Sequence, residues 1–116
     1  MEIEQENKMI LNAYRGVLRS LKTDRSKEET KIIRKAFNLA SKAHQSMRRK
    51  SGEPYIFHPL AVARICADEI GLGPTSIVCA LLHDTVEDTN ITLKDIENNF
   101  GTKVRNIIDG LTKISG

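Results

Sequence analysis

Apolar residues recur at helical spacing along nearly the whole chain. Ile3, Ile10, Leu11, Tyr14, Val17, Leu18 and Leu21 lie on one stripe and predict a helix over residues 3–22. Ser26-Lys-Glu-Glu29 has the form of a capping box and opens a second helix. In that helix Ile33, Phe37, Ala40 and His44 share a face, with Ile32, Ala36, Leu39 and Ala43 beside them. Residues 47–57 break the pattern: they are basic, then contain Ser51-Gly52-Glu53-Pro54, which predicts a turn, with Tyr55-Ile56-Phe57 as a short extended piece. His58-Pro59 starts a third helix that Gly71 and Gly73 stop. Pro74 starts a fourth, apolar on almost every side and therefore central, which runs out through His83-Asp84-Thr85-Val86-Glu87-Asp88. Thr92-Leu-Lys-Asp95 reads as another cap, Gly101 as a break, and Val104, Ile107, Ile108 and Leu111 as the apolar side of a last helix. No strand pairing is predicted, so the fold class is all-α.

Length and composition agree with one ordinary folded domain: 116 residues, 40% hydrophobic and 28% charged. No apolar run approaches the roughly 20 residues that span a bilayer, and the polar start MEIEQENKMI is not a signal peptide. The expected location is the cytoplasm, with no membrane partner. Cys66 and Cys79 lie in apolar stretches without metal-ligand spacing and read as buried, reduced thiols. The net charge of +3 is too small to imply nucleic-acid binding, and aromatic residues, at 4%, are too few for a base-stacking platform. The local run Arg48-Arg49-Lys50 carries more weight than the total. It adjoins the residues that carry chemistry and suits a phosphate-rich ligand.

Those residues end the fourth helix. The apolar segment SIVCALL delivers His83, Asp84, Thr85, Glu87 and Asp88 within six positions. Buried charge is costly unless it is paired or binds metal. On a helix, positions three and four apart share a face, so Asp84 faces Glu87 and Asp88 while His83 faces Glu87. A short Gly-containing connection makes the third and fourth helices antiparallel neighbours, which brings His58 to the His83-Asp84 end. Imidazole with carboxylate oxygen is a ligand set for Mn²⁺, Fe²⁺ or Zn²⁺. The absence of a cysteine partner argues against a structural zinc site. His44, alone on an apolar helix face, reads as a packed and hydrogen-bonded residue.

The strings Arg49-Lys-Ser-Gly-Glu-Pro-Tyr-Ile-Phe-His-Pro59, Leu82-His-Asp-Thr-Val-Glu-Asp-Thr89, Leu93-x-Asp-Ile-x-x-x-Phe-Gly101 and Asp109-Gly-Leu-Thr-Lys113 resemble the N-terminal HD hydrolase domain of the RelA/SpoT family, long enzymes that make and degrade (p)ppGpp. The resemblance covers roughly residues 30–116. It implies an HD-type bundle of about six helices, with an N-terminal helix over 1–25 and the hydrolase domain over 26–116. It also implies a Mn²⁺-dependent 3′-pyrophosphohydrolase that converts ppGpp to GDP and pyrophosphate. Carried over by position, His58, His83 and Asp84 are metal ligands, and Glu87 and Asp88 orient and deprotonate the attacking water. Arg49, Lys50 and Ser51 line the guanine-nucleotide pocket, with Tyr55 supporting it. The family's further ligand, an aspartate in an Ala-Asp-x-x-His-Asn-like motif, has no counterpart in this sequence. The expectation is therefore a domain incomplete at its C-terminus, a piece of a longer enzyme, with weak or absent metal binding, little activity of its own, and an exposed apolar face that favours oligomers. The competing readings are an HD phosphohydrolase of another nucleotide and a non-catalytic regulatory HD domain. The intact Arg49-Lys50-Ser51 string favours ppGpp over the first, and the intact His-Asp and Glu-Asp pairs stand against the second.

Overall fold

The computed structural model describes residues 2–22 and 24–115, with the side chain of Ser115 outside the description. The described residues form seven α-helices and no strand: α1 Ile3–Ser20, α2 Lys27–Ala43, α3 Phe57–Ile65, α4 Pro74–Leu82, α5 Thr85–Asp88, α6 Leu93–Phe100 and α7 Thr102–Ser115. As α5 is a single turn, six helices carry the architecture, as expected of an HD-type bundle.

Both predicted capping boxes form. Ser26 Oγ accepts from the Glu29 amide at 3.1 Å while Glu29 Oε1 accepts from the Ser26 amide at 2.8 Å. Thr92 and Asp95 repeat the exchange at 3.1 and 3.0 Å. Each box satisfies two of the amides that a helix start leaves without partners. At the other ends, Gly71 (φ 77°) and Gly101 (φ 93°) adopt left-handed backbone that a side chain would strain, so each stops its helix where the sequence predicts. Before Gly71 the chain widens into one π-helical turn, Cys66–Ile70, which the periodicity does not reveal.

Helix α4 lies at the centre. It packs against α2, α3 and α7, and every residue from Ile77 to Leu82 is buried. This is why it is apolar all round: it has no solvent face to keep polar. Helix α1 packs on α3 and shares the same core through Tyr14 and Val17, with the Tyr14 ring stacked on Phe37 at 4.3 Å between centroids. The face of α2 with Ile33, Phe37, Ala40 and His44 is buried as expected. Of the two free thiols, Cys79 is buried but Cys66 only half so. Burial pushes the Cys79 thiol up to about 11, which keeps it protonated and inert. Among the described residues no helix is long and apolar enough to cross a membrane.

The segment after α2 is a tight hairpin-like loop. Arg48 and Pro54 form an isolated antiparallel bridge, and between them the Gly52 amide donates to Arg49 O at 2.8 Å, closing a β-turn over residues 49–52. Tyr55-Ile56-Phe57, expected to be extended, instead turns directly into α3, with the His58 amide bonded to Tyr55 O at 2.9 Å.

Candidate metal centre

The end of α4 builds the site. A helix C-terminus leaves carbonyls without intrahelical partners. Two of these take side-chain donors: Ala80 O from His83 Nδ1 at 2.6 Å and Leu82 O from Thr85 Oγ1 at 2.7 Å. These bonds close α4 at Leu82, and α5 resumes as a separate turn from Thr85. The continuous helix through Asp88 that periodicity suggested is therefore interrupted at His83-Asp84. The interruption has a chemical result. A carbonyl only accepts, so His83 Nδ1 carries a proton and Nε2 is the nitrogen left to face Asp84 or a metal, which is the arrangement a metal-ligating histidine needs.

His83 Nε2 lies 3.1 Å from Asp84 Oδ2, and His58 Nε2 lies 3.6 Å from the same oxygen. One donor atom each from His58, His83 and Asp84 fall within 4.8 Å of one another, a spacing able to hold a divalent ion. His58 arrives from the second residue of α3, whose start meets the end of α4, so the two helices run antiparallel. The hydrogen bond with His83 holds the Asp84 carboxyl down at about 2, and the same bond raises His83 above the ordinary imidazole range. Without an ion, His83 Nε2 must itself carry a proton to bond the Asp84 carboxylate, and a metal would take that proton's place. In either case Asp84 is a carboxylate at neutral pH, available as a ligand. The mixed nitrogen and oxygen donors, the half-buried position and the fixed His83 tautomer all fit a borderline-to-hard divalent ion.

Tyr55 ties the loop to this cluster. Its hydroxyl donates to Asp84 Oδ2 at 2.7 Å and approaches Asp88 Oδ2 at 3.4 Å. Burial, then the hydrogen bond to Asp84, pushes the phenol well above its usual range, so it remains a donor. Its ring lies between two histidines, with centroids 4.7 Å from His44 and 5.7 Å from His58. Tyr55 was expected to support a nucleotide pocket; its hydroxyl is here engaged with the two aspartates. Glu87 and Asp88 are exposed on α5, on the rim of the cluster rather than in its centre. Arg49, Lys50 and Ser51 occupy the exposed β-turn, and Ser51 Oγ donates to Glu53 Oε2 at 2.6 Å. His44 is packed as expected, with Nδ1 3.3 Å from Met47 Sδ, but its buried Nε2 has no hydrogen-bond partner among the described residues.

Comparison with known proteins agrees with the geometry. The chain is 50% identical over 88 residues to a probable GTP pyrophosphokinase of Mycobacterium leprae, an alignment that covers 76% of this chain. It superposes with a TM-score of 0.68 and 28% identity on the solved structure of a metazoan ortholog of SpoT, a protein that hydrolyses ppGpp and plays a role in starvation responses. That match covers 77% of this chain and 49% of the other. The family model described as HD domain matches residues 36–116. This chain is an HD domain of the RelA/SpoT family. A guanosine-3′,5′-bis(diphosphate) 3′-pyrophosphohydrolase of Aquifex aeolicus is a further relative, 46% identical over 82 residues that cover 71% of this HD domain. The HD domain spans only 11% and 12% of the Mycobacterium and Aquifex proteins. The matched region contains His58, His83 and Asp84, and it leaves α1 outside the family model.

Proposed function

We propose that this HD domain hydrolyses the 3′-pyrophosphate of ppGpp or pppGpp, releasing pyrophosphate, with Mn²⁺ as its cofactor. The observation that carries the reading is the convergence of His58, His83 and Asp84 within 4.8 Å, with the His83 tautomer set by Ala80 O. His58 Nε2, His83 Nε2 and an Asp84 oxygen would hold the ion. When bound, such an ion supplies a Lewis acid and acidifies a water. Asp88 and Glu87, on the rim beside Asp84, would orient an attacking water, and one of them would serve as the general base that takes its proton. Tyr55 holds Asp84 and Asp88 in fixed relation through one hydroxyl. Arg49 and Lys50, on the exposed turn, offset the charge of the polyphosphate, and Arg49 offers a planar face to a purine.

Three protein donors leave much of the octahedral sphere that Mn²⁺ prefers to water, and the cluster is partly exposed, so this chain alone is expected to bind Mn²⁺ weakly and to turn over slowly. Mn²⁺ titration with a ppGpp hydrolysis assay tests both statements. Absence of any Mn²⁺ effect, or equal turnover of unrelated nucleotides, would count against the reading, and full turnover by the 116-residue chain would refute the expected weakness. The exposed edge of α7, with Ile107 and Leu111, leads us to expect association at high concentration, visible by size exclusion.

Tyr55→Phe gives a sharper test of the support around the ligands. It removes the 2.7 Å bond to Asp84 and leaves the ring contacts in place. Loss of such an outer partner costs about 10–100-fold in metal affinity or activity. Calorimetric Mn²⁺ titration of the variant is expected to show a fall in that range with little change in thermal stability. An unchanged affinity would mean that the hydroxyl does not orient Asp84.

A further inference from the structure

Helix α1 reaches the basic turn through one side chain. Residues 2–5 and 7–9 are exposed, yet Glu6 between them is buried, with 8% of its surface accessible. A carboxylate is placed there at a cost unless it is well paired. Its partner is Arg48, 42 residues away, in a two-pronged bond: Nη1 to Oε2 at 2.7 Å and Nη2 to Oε1 at 2.9 Å. This fork–fork geometry is the strong, directional form of the ion pair. It also draws the Glu6 carboxyl below its usual range.

Arg48 Nη1 bonds the Gly52 carbonyl as well, at 2.9 Å. Glu6 therefore holds Arg48, and Arg48 holds both sides of the loop: it belongs to the segment entering the turn, and Gly52 is the residue leaving it. The 49–52 turn is closed further by Arg49 N to Glu53 O at 3.0 Å. At its far end the loop is tied down by Tyr55 on Asp84. Between these two anchors stand Arg49, Lys50 and Ser51, exposed at the tip. A loop of this kind contributes more to ligand binding when it is ordered beforehand, because less conformational freedom is lost on binding.

We propose that Glu6 is a positioning residue: its fork with Arg48 makes α1 a strut that pre-orders the turn carrying Arg49, Lys50 and Ser51 for a polyphosphate nucleotide. The role lies in binding rather than in the chemical step. It rests on the proposed function only for the identity of the ligand, since the ordering of the turn is a property of the chain itself.

Two measurements on the 116-residue chain decide it, using Glu6→Gln, which keeps the shape, Glu6→Ala, and the exchanged pair Glu6→Arg with Arg48→Glu. The first is amide hydrogen exchange at Arg49 and Gly52. Loss of the fork is expected to speed exchange there by about tenfold, the scale of one charge-assisted bond, while α4 amides keep their protection. The second is ppGpp affinity in the presence of Mn²⁺. It is expected to weaken by about tenfold with Mn²⁺ affinity unchanged and, where turnover is measurable, with KM raised and kcat held. The exchanged pair can remake the ion pair but not the bond to the Gly52 carbonyl, because a carboxylate only accepts, so it is expected to recover at most part of either loss. Unchanged exchange at Arg49 and Gly52 in Glu6→Ala overturns the proposal. So does a loosened turn that binds ppGpp as tightly as before. Faster exchange in α4 as well, in both Glu6 variants, would show general destabilisation and also overturn it. If the unmodified chain binds Mn²⁺ but no ppGpp, the proposed substrate is what fails, and the exchange measurement alone then decides whether Glu6 orders the turn.

Discussion

Replacing His83 with alanine is expected to lower Mn²⁺ affinity by at least about 100-fold and ppGpp hydrolysis by about 1000-fold or more, since each step of ten is only about 1.4 kcal/mol and a bound ion supplies several. The expectation follows from position. Of the three proposed ligands, His83 is the one whose outer nitrogen is set by a bond to its own helix, Nδ1 to Ala80 O at 2.6 Å, so no rotation of a neighbouring side chain replaces it. Its removal leaves His58 and Asp84, too few donors to exclude water from the ion. The fold should survive, because the side chain is 24% exposed and its loss opens a surface notch rather than a core cavity. Paramagnetic broadening of ring signals by Mn²⁺ and a hydrolysis assay report the two losses separately, and Glu87→Gln with Asp88→Asn is the informative contrast. Those residues sit on the rim, so metal affinity should persist while turnover falls. A His83→Ala chain that kept its Mn²⁺ affinity would remove the proposed centre altogether.

The helices were legible because the signals that define them are local. Ser26 with Glu29 and Thr92 with Asp95 cap as written, Gly71 and Gly101 stop helices where only glycine sits comfortably, and a segment such as SIVCALL has no polar face to offer solvent. The approach of His58 to His83-Asp84 was also readable, since a short connection between two helices of similar length brings the start of one to the end of the other. What periodicity missed was decided by competition for backbone groups. His83 and Thr85 satisfy the last carbonyls of α4 with side-chain donors, so the helix closes before Asp84. The next turn still sets Asp84 and Asp88 four apart on one face, with the Asp88 amide bonded to Asp84 O at 2.9 Å. What periodicity could not give is the group that bridges their carboxylates, Tyr55, 29 residues before Asp84 in the chain. The Glu6–Arg48 fork lies further out of reach: nothing in a stretch of Glu, Gln and Asn marks one carboxylate as buried, because its partner is 42 residues away. His44 shows the same limit. Its burial follows from the apolar face of α2, but the lack of a partner at Nε2 depends on which groups the other helices bring to it.

Leu81→Ala should produce the largest loss of stability, and the reason connects the core to the centre. Leu81 is fully buried in α4, the central helix that packs against α2, α3 and α7, so its truncation opens a cavity inside the core. Buried leucine-to-alanine changes cost about 2–5 kcal/mol, the spread reflecting how far the surroundings relax. A domain of this size has only about 5–15 kcal/mol to lose. At about 4–8 °C per kcal/mol, thermal unfolding is expected to fall by at least about 10 °C. Leu111→Ala on α7, 40% exposed, is the matched control and should stay within about 0.5 kcal/mol of the parent. The two readouts also separate scaffold from chemistry. His83 and Asp84 are positioned by the end of α4, whose geometry depends on Ala80 O and Leu82 O rather than on the Leu81 side chain. Well below its unfolding temperature, Leu81→Ala should therefore bind Mn²⁺ nearly as the parent does. If affinity instead fell with stability, the ligands would depend on the packing of the whole helix, and the local account of how α4 presents them would have to be abandoned.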